Sequence, residues 1–371
     1  MEQEDEVALY RAEMYQIMVP IFVLISSIAF LANLLVIIAL RETKVRNATV
    51  VLITSLTISD MWTSSIVAWS LVYNSYLPIV KGTYVNWCFS LTLEILRTGG
   101  LITGTFHLLL IAIHHYIGIV KPHSDRSRLK QLAIICCFIS WLFPSLTLFI
   151  IASSFPDQGF HNCSNVEFYH SIFFRASISS LLLIIFMIIT WCYIRLCCIL
   201  RAKAAKWQSR SIKRRVSREN KTLFTTVLIC SSFFIGWMPA TVHFTITCKT
   251  CDLLRSQQYR VLFLFSCIQL AFILAKSLLN PLIYAFRIPE VDTEIRNLFN
   301  RCLTFSRRLC GQTHEKIPET NPRRKPTPGV LEPNSLDEKG STQRAITPII
   351  PNRTIEEPFT GDEALERLSL V

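Results

Sequence analysis

Charged residues and glycine are both scarce in this sequence of 371 residues. Asp, Glu, Lys and Arg make up 17% of the chain and hydrophobic residues 51%, whereas about 25% charged residues is typical of soluble domains. The apolar residues come in long blocks, which excludes an ordinary soluble domain. With only 11 glycines and no alternation of polar and apolar positions inside the blocks, a transmembrane β-barrel is excluded as well.

Seven of the apolar blocks are long enough to cross a membrane as helices. A bilayer core of about 30 Å needs roughly 20 apolar residues per helix. The predicted spans cover residues 17–40, 48–73, 91–117, 131–153, 168–200, 222–246 and 261–286. The predicted fold class is therefore an all-α membrane protein with a bundle of seven transmembrane helices.

The charges around these blocks predict the orientation of the chain. Residues 2–6 are mostly acidic, which does not match a cleavable signal peptide, so we expect an uncleaved first helix. Basic residues cluster after spans one, three and five, most densely over residues 201–221. The positive-inside rule then places the N-terminus outside and the C-terminus inside. Nucleic-acid binding by Lys213–Arg215 is an alternative reading, but we predict no nucleic-acid partner.

Polar residues inside the spans are functional candidates, because each costs on the order of a few kcal/mol unless it meets a partner or a wet cavity. They form an ordered series of motifs: Asn33-Leu-Leu-Val36 in span one, Ser55-Leu56-x-x-x-Asp60 in span two, Trp141 in span four, Phe233-x-x-x-Trp237-x-Pro239 in span six, and Asn280-Pro281-x-x-Tyr284 in span seven. Over about residues 15–305, this series resembles the signature of class A, rhodopsin-like G-protein-coupled receptors.

The resemblance implies a plasma-membrane receptor, not an enzyme, that needs no cofactor and passes an extracellular ligand signal to heterotrimeric G proteins, with arrestin as a further partner. It places Trp237 beneath the ligand pocket. Pro239 is expected to kink span six, because proline removes a helical hydrogen bond. Asn280, Pro281 and Tyr284 would form the part of span seven that rearranges. Trp141 is expected to serve packing alone.

The inner end of span three departs from the family pattern. The family has an acidic residue, an arginine and an aromatic there, but this chain has His114, His115 and Tyr116. Glu219, twenty residues before Pro239, stands where the family keeps the acidic partner of that arginine. We expect a contact between His115 and Glu219 that titrates near neutral pH, because an unperturbed histidine has a pKa of about 6.5. The alternative is a receptor-like protein with weak or no G-protein coupling, acting as a scaffold.

The buried ion site is a second departure. The resemblance implies that Asp60 binds sodium together with small polar residues of spans three and seven. Here Lys276 lies one helical turn before Asn280, and Gly104 replaces the polar neighbour on span three. We predict that Lys276 pairs with Asp60 and makes the protein insensitive to sodium, because an unpaired buried charge is costly. The alternative is that Lys276 points into the ligand cavity.

The upper part of span three carries Glu94 and Arg97, which either pair with each other at i and i+3 or line the ligand pocket. An arginine in the pocket favours an acidic or zwitterionic ligand, such as a lipid headgroup, a nucleotide or a peptide carboxylate, over a simple amine. Arg175 would add a second positive contact. Spans two and five also lack proline, a feature that resembles the melanocortin, adenosine, cannabinoid and lysophospholipid receptors.

Four cysteines fall on the predicted outer side, where disulfides persist. We expect one bridge between Cys88 and Cys163 and a second between Cys248 and Cys251, with metal binding or redox chemistry as the alternative for the latter pair. Asn162 begins an Asn-Cys-Ser sequon and is a glycosylation candidate.

The ends of the chain complete the predicted organisation. Residues 1–16 form a short extracellular N-terminus, 17–286 the seven-span domain, 287–310 an amphipathic helix on the membrane lipids, and 311–371 a disordered cytoplasmic tail. Cys302 is a palmitoylation candidate, and Ser369 to Val371 fit a PDZ groove. A transporter is disfavoured, because no inverted repeats or paired broken helices are found.

Overall fold

A computed structural model describes residues 2–43, 47–121, 125–206, 224, 227–228, 230–231, 234–246, 259–287 and 289–311. The long helices are α1 (Glu2–Glu42), α2 (Ala48–Ser70), α3 (Trp87–Val120), α4 (Arg126–Ser154), α5 (Ile172–Lys206), α6 (described over 234–246), α7 (Tyr259–Arg287) and α8 (Pro289–Gly311). Six helices of this described part, α1 to α5 and α7, are long and apolar enough to cross a membrane. These six helices confirm six of the predicted spans, and α6 lies within the remaining one, predicted span six at 222–246. The predicted fold class is confirmed.

Side chains of Asn and Asp begin three of these helices. Asn47 Oδ1 accepts a hydrogen bond from Val50 N at 2.9 Å at the start of α2. Asn86 does the same for α3, accepting from Phe89 N at 3.0 Å, and Asp125 caps α4. Such caps satisfy backbone N–H groups that have no partner within the helix. The helix starts are thus encoded locally.

The first helix is longer than its apolar block. It begins at Glu2. Residues 2–16 of the predicted extracellular segment 1–16 are therefore part of α1. Tyr10 and Tyr15 pack edge-on against Phe263 of α7, with ring centroids 6.2 and 5.2 Å apart. Arg260 of α7 donates to Glu6 Oε1 at 2.7 Å. Contacts with α7 therefore hold the polar start of α1 in helical form.

A second irregularity extends α2. The helix continues through a π-helical turn, Leu71–Tyr76, into a short helix, Leu77–Val80. A π turn inserts an extra residue into the helical repeat and rotates the residues that come after it. The turn begins directly after Ser70, whose hydroxyl contacts Glu94 of α3. It therefore lies beside the polar part of α3.

The core joins residues of α1 to α7, including Leu56, Leu108 and Tyr284, each almost fully buried. Val291 at the start of α8 packs against the same core. By contrast, α4 exposes a broad apolar face that includes Phe138. Soluble proteins rarely expose so much apolar surface, so we expect this face to meet lipid. Helices α1 to α7 and the part of α8 up to Phe299 belong to one compact unit.

Candidate ligand cavity and buried polar network

A cavity lies between the outer halves of α3, α5, α6 and α7. Its empty volume, including its open mouth, is about 730 Å³. Most of the lining is apolar, and its polar or aromatic members are Arg97, Thr98, Tyr169, Ser179, Trp237, Thr241, His243, Phe244 and Gln269. Ligand sites in proteins have this character, mostly apolar with a few convergent polar groups.

Arg97 is the cation of this cavity. It is 5% exposed and forms an ion pair with Glu94, which is 2% exposed. Glu94 does not line the cavity, and its Oε1 accepts hydrogen bonds at 2.6 Å from Ser70 Oγ and from Asn74 Nδ2. Among the described residues, Arg97 Nη1 has no hydrogen-bond partner although it is buried. The sequence left two alternatives, that Glu94 and Arg97 pair with each other or that they line the pocket. Both hold in part, because the two residues pair and Arg97, but not Glu94, lines the cavity.

A one-turn helix in the second outer loop, Glu167–His170, contributes Tyr169 to the cavity. The Tyr169 hydroxyl lies 3.1 Å from Thr98 Oγ1. Burial raises the pKa of the Tyr169 phenol above its ordinary value, so the group stays neutral. The predicted disulfide between Cys88 and Cys163 is present, with Cα atoms 4.9 Å apart, and it ties this loop to the start of α3.

Arg175 has a different placement from the one predicted. It is fully buried and does not line the cavity. Its guanidinium donates to the carbonyl oxygens of Tyr169 and Phe244, both at 3.1 Å, and to His170 Nδ1 at 2.7 Å. It also lies over the Phe244 ring, 4.9 Å from the centroid. Arg175 was expected to be a second positive contact for the ligand. In the structure its hydrogen bonds instead join the outer loop to α5 and α6.

A buried polar network lies deeper in the bundle. Lys276 Nζ of α7 contacts Asp60 Oδ1 of α2, and Asn280 Nδ2 donates to Asp60 Oδ2 at 2.6 Å. Nearby, Asn33 Nδ2 of α1 donates to the carbonyl oxygens of Ala29 and Ser277. Lys276 is absent from the lining of the outer cavity, so the alternative that it points into that cavity does not hold. The network joins α1, α2 and α7 through polar contacts.

The inner end of α3 carries His114 and His115, which depart from the family pattern, and the aromatic Tyr116, which matches it. His114 Nε2 lies 3.2 Å from Thr49 Oγ1 of α2. The ring of His115 lies 6.1 Å from that of His114, and the ring of Tyr116 lies 5.6 Å from that of Trp191 of α5. Glu219 lies outside the described residues, so the contact between His115 and Glu219 stays a prediction.

One polar cluster joins α2, α3 and α4 and was not predicted from the sequence. Trp141 Nε1 of α4 donates to Ser55 Oγ of α2 at 3.1 Å, and that oxygen lies 2.7 Å from His107 Nε2 of α3. His107 Nδ1 in turn lies 2.7 Å from the Thr103 carbonyl oxygen. Trp141 therefore does more than pack, which corrects the expectation. The available signal was that Ser55, Thr103 and His107 all fall in the middle of apolar blocks.

These observations agree with a comparison to known families. The family model for seven-transmembrane receptors of the rhodopsin family matches residues 32–284. The chain belongs to this family. The matched range contains the polar motifs of spans one, two, four, six and seven.

Individual relatives of this rhodopsin-family receptor are distant. The chain is 26% identical to human hydroxycarboxylic acid receptor 2 over 257 residues, covering 64% of this chain and 66% of that protein. It is 26% identical to the rhodopsin of Scyliorhinus canicula over 195 residues, covering 49% and 52%. It is 24% identical to the G-protein coupled receptor E1 of Equine herpesvirus 2 over 295 residues, covering 73% and 70%. The chain thus spans about half to two thirds of the first two relatives.

The remaining predicted site residues of this receptor divide by position. Trp237 and Pro239 lie on the described part of α6, and Trp237 lines the cavity. Asn162 is exposed on the outer loop, and its Oδ1 accepts from Ser164 Oγ at 2.7 Å. Cys302 lies on α8, but its side chain is outside the described set, as are Cys248, Cys251, Ser369 and Val371. Their disulfide, palmitate and PDZ assignments stay predictions.

Proposed function

We propose that this protein is a plasma-membrane receptor that binds a small carboxylate-bearing ligand in the outer cavity and signals to heterotrimeric G proteins. The observation that carries the proposal is the Arg97 guanidinium, which lines the cavity and whose buried Nη1 has no hydrogen-bond partner among the described residues. A buried donor without a partner costs about 1–3 kcal/mol. A ligand carboxylate would accept from this donor.

The surroundings of Arg97 favour an anion over an amine. Ser70 and Asn74 hold Glu94 from the α2 side, so the arginine is the charged member of the pair that lines the cavity. Among its neighbours in the lining, Gln269 can donate to further ligand oxygens. The relative whose name specifies a hydroxycarboxylic acid points to the same chemistry. A lipid headgroup, a nucleotide or a peptide carboxylate shares this anionic chemistry and is the alternative class of ligand.

The route from this cavity to the cytoplasm runs through α6. Trp237 lines the cavity, and Pro239 follows two residues later in the same helix. Because proline removes one helical hydrogen bond, α6 has a place to bend next to the ligand. A ligand that moves Trp237 would therefore tilt the part of α6 that leads to the basic inner segment 201–221, which we propose as the G-protein contact. Arrestin is proposed to share that inner surface.

A second candidate function is a receptor-like scaffold with weak or no G-protein coupling. The observation that favours it is the chemistry at the inner end of α3, where His114 and His115 replace the charged residues of the family. His114 Nε2 lies within hydrogen-bonding distance of Thr49 Oγ1 on the neighbouring helix α2. Without an arginine at position 115, the usual contact with a G protein has no equivalent.

The test expresses the full chain with a panel of chimeric G proteins and applies monocarboxylic acids of increasing size. We expect a response that the double variant Glu94→Gln/Arg97→Gln reduces at least tenfold in potency at equal surface expression. The double variant removes both charges, so neither is left buried alone. Arg195→Gln is the matched control, because Arg195 is an exposed arginine of α5 outside the cavity.

The outcomes separate the two functions. A double variant that responds like the wild type overturns the carboxylate site. If no acid and no chimera yields ligand-driven or constitutive output from the wild type, but His115→Arg does yield output, the scaffold function is supported instead.

A further inference from the structure

The buried carboxylate of Asp60 has a countercharge supplied by the chain itself. Asp60 is 2% exposed and Lys276 is 5% exposed, and their charged groups are in contact. Asn280 donates to the second carboxylate oxygen at 2.6 Å. A charge in such a place costs several kcal/mol unless it is paired and hydrogen-bonded. The Lys276 ammonium and the Asn280 amide between them engage both oxygens.

Two glycines surround this lysine. A Cβ atom added to Gly104 of α3 would lie 3.9 Å from Lys276 Nζ and 3.7 Å from Ser59 Oγ, so any longer side chain there would take the space of the ammonium. A Cβ atom added to Gly236 of α6 would lie 2.9 Å from Lys276 Cβ and 3.1 Å from the Phe272 carbonyl oxygen. Side chains at either position would crowd the lysine, at its two opposite ends.

The sodium ion that the family implies at this carboxylate does not fit these residues. A hard cation requires several oxygen ligands, but Gly104 offers no side-chain oxygen and Lys276 brings a positive charge to the carboxylate. Two cations beside one carboxylate would repel each other at close range.

We propose that Lys276 is a tethered cation that permanently takes the place of a free monovalent ion at Asp60, with Gly104 and Gly236 providing its room. A free ion can leave the site and its occupancy follows the salt concentration. A lysine side chain cannot leave, so the link between α2 and α7 is independent of sodium. Shortening Lys276 and restoring an oxygen at position 104 should convert the site into one that binds sodium.

The test measures the thermal unfolding midpoint of the purified full-length receptor in sodium chloride and in choline chloride at equal ionic strength, so that general screening is the same. We expect equal midpoints for the wild type. For Lys276→Ser/Gly104→Ser, which adds two hydroxyl oxygens, we expect sodium to raise the midpoint by about 2–4 °C over choline. Lys121→Ser, which removes an exposed lysine, is the matched control and should behave like the wild type.

A wild-type receptor that sodium stabilises over choline would overturn the proposal, and so would a folded serine double variant with no sodium-specific shift. If that variant does not fold, the proposal is tested with Asp60→Asn and Lys276→Gln, which together remove both charges. Asp60→Asn leaves the ammonium buried alone, so adding Lys276→Gln should recover stability that Asp60→Asn loses. Losses that simply add would show that the two charges are not coupled and would also overturn the proposal.

Discussion

Arg97 and Glu94 lie one turn apart on α3 and form a buried ion pair, yet only the arginine lines the outer cavity. Glu94 accepts hydrogen bonds from Ser70 of α2 and from Asn74 of the π-helical turn that follows it. Arg97 lines the cavity, and its buried Nη1 has no hydrogen-bond partner among the described residues. The pair is both a structural link between α2 and α3 and the basis of the proposed anion site.

This pair predicts strong coupling between two substitutions. Arg97→Gln alone leaves the Glu94 carboxylate buried without its countercharge, and we expect it to lower the free energy of unfolding by about 3–5 kcal/mol. Glu94→Gln alone leaves the Arg97 guanidinium buried without its countercharge and should lower the free energy of unfolding by a similar amount. The double substitution should lower it by much less than the sum of the two single losses. A double-mutant cycle of thermal unfolding midpoints checks this. Independent, additive losses would contradict it.

Arg175 predicts an effect that charge conservation does not rescue. Lysine keeps the positive charge but cannot reach Tyr169, Phe244 and His170 with separate donors, as the guanidinium does. We expect Arg175→Lys to destabilise the receptor by about 1–3 kcal/mol, measured by thermal unfolding. Arg195→Lys on the exposed face of the same helix is the control and should change little. Equal midpoints for both variants would remove the positioning role of Arg175.

The histidine at the inner end of α3 predicts a change in basal signalling. If His115 holds Glu219 in the resting state, His115→Ala removes that contact and should raise basal G-protein output. His115→Arg should change the output as well, because it replaces a titratable group with a permanent charge. The measurement is constitutive output with chimeric G proteins at equal surface expression. Basal output that is unchanged in both variants would rule out the contact.

Trp141 predicts a small but specific loss. Trp141→Phe keeps an aromatic ring in place but removes the N–H that donates to Ser55. We expect a loss of about 1 kcal/mol in the free energy of unfolding, which is typical of one hydrogen bond. If Ser55→Ala costs a similar amount and the two losses are not additive, the bond is real. A Trp141→Phe variant as stable as the wild type would mean that packing alone matters there.

Much of the fold could be predicted because it depends on local properties. The length of an apolar block determines whether a helix can cross a bilayer, and the basic loops set its orientation. Asn47, Asn86 and Asp125 mark helix starts in the same local way. The pairing of Asp60 with Lys276 could also be predicted, because two opposite charges in apolar spans have few other partners.

Other features of the site depend on how the helices pack. Arg97 and Arg175 are both arginines near the outer ends of spans, and nothing in their neighbours along the chain says which one faces a cavity. The structure distinguishes them. Nη1 of Arg97 has no hydrogen-bond partner among the described residues, whereas the guanidinium of Arg175 donates to carbonyl oxygens of the outer loop and of α6. The cluster of Ser55, His107 and Trp141 likewise joins three helices.

The sequence by itself determined the apolar spans and the set of polar residues inside them, because burial in lipid acts on each segment separately. Only the tertiary structure decided which of those polar groups satisfy one another and which remain open to a ligand. Hydrogen bonds and ion pairs depend on distances of a few ångströms between side chains far apart in the chain. Arg97 is open to the cavity for that reason, while Lys276, 216 residues after Asp60, is held against that carboxylate.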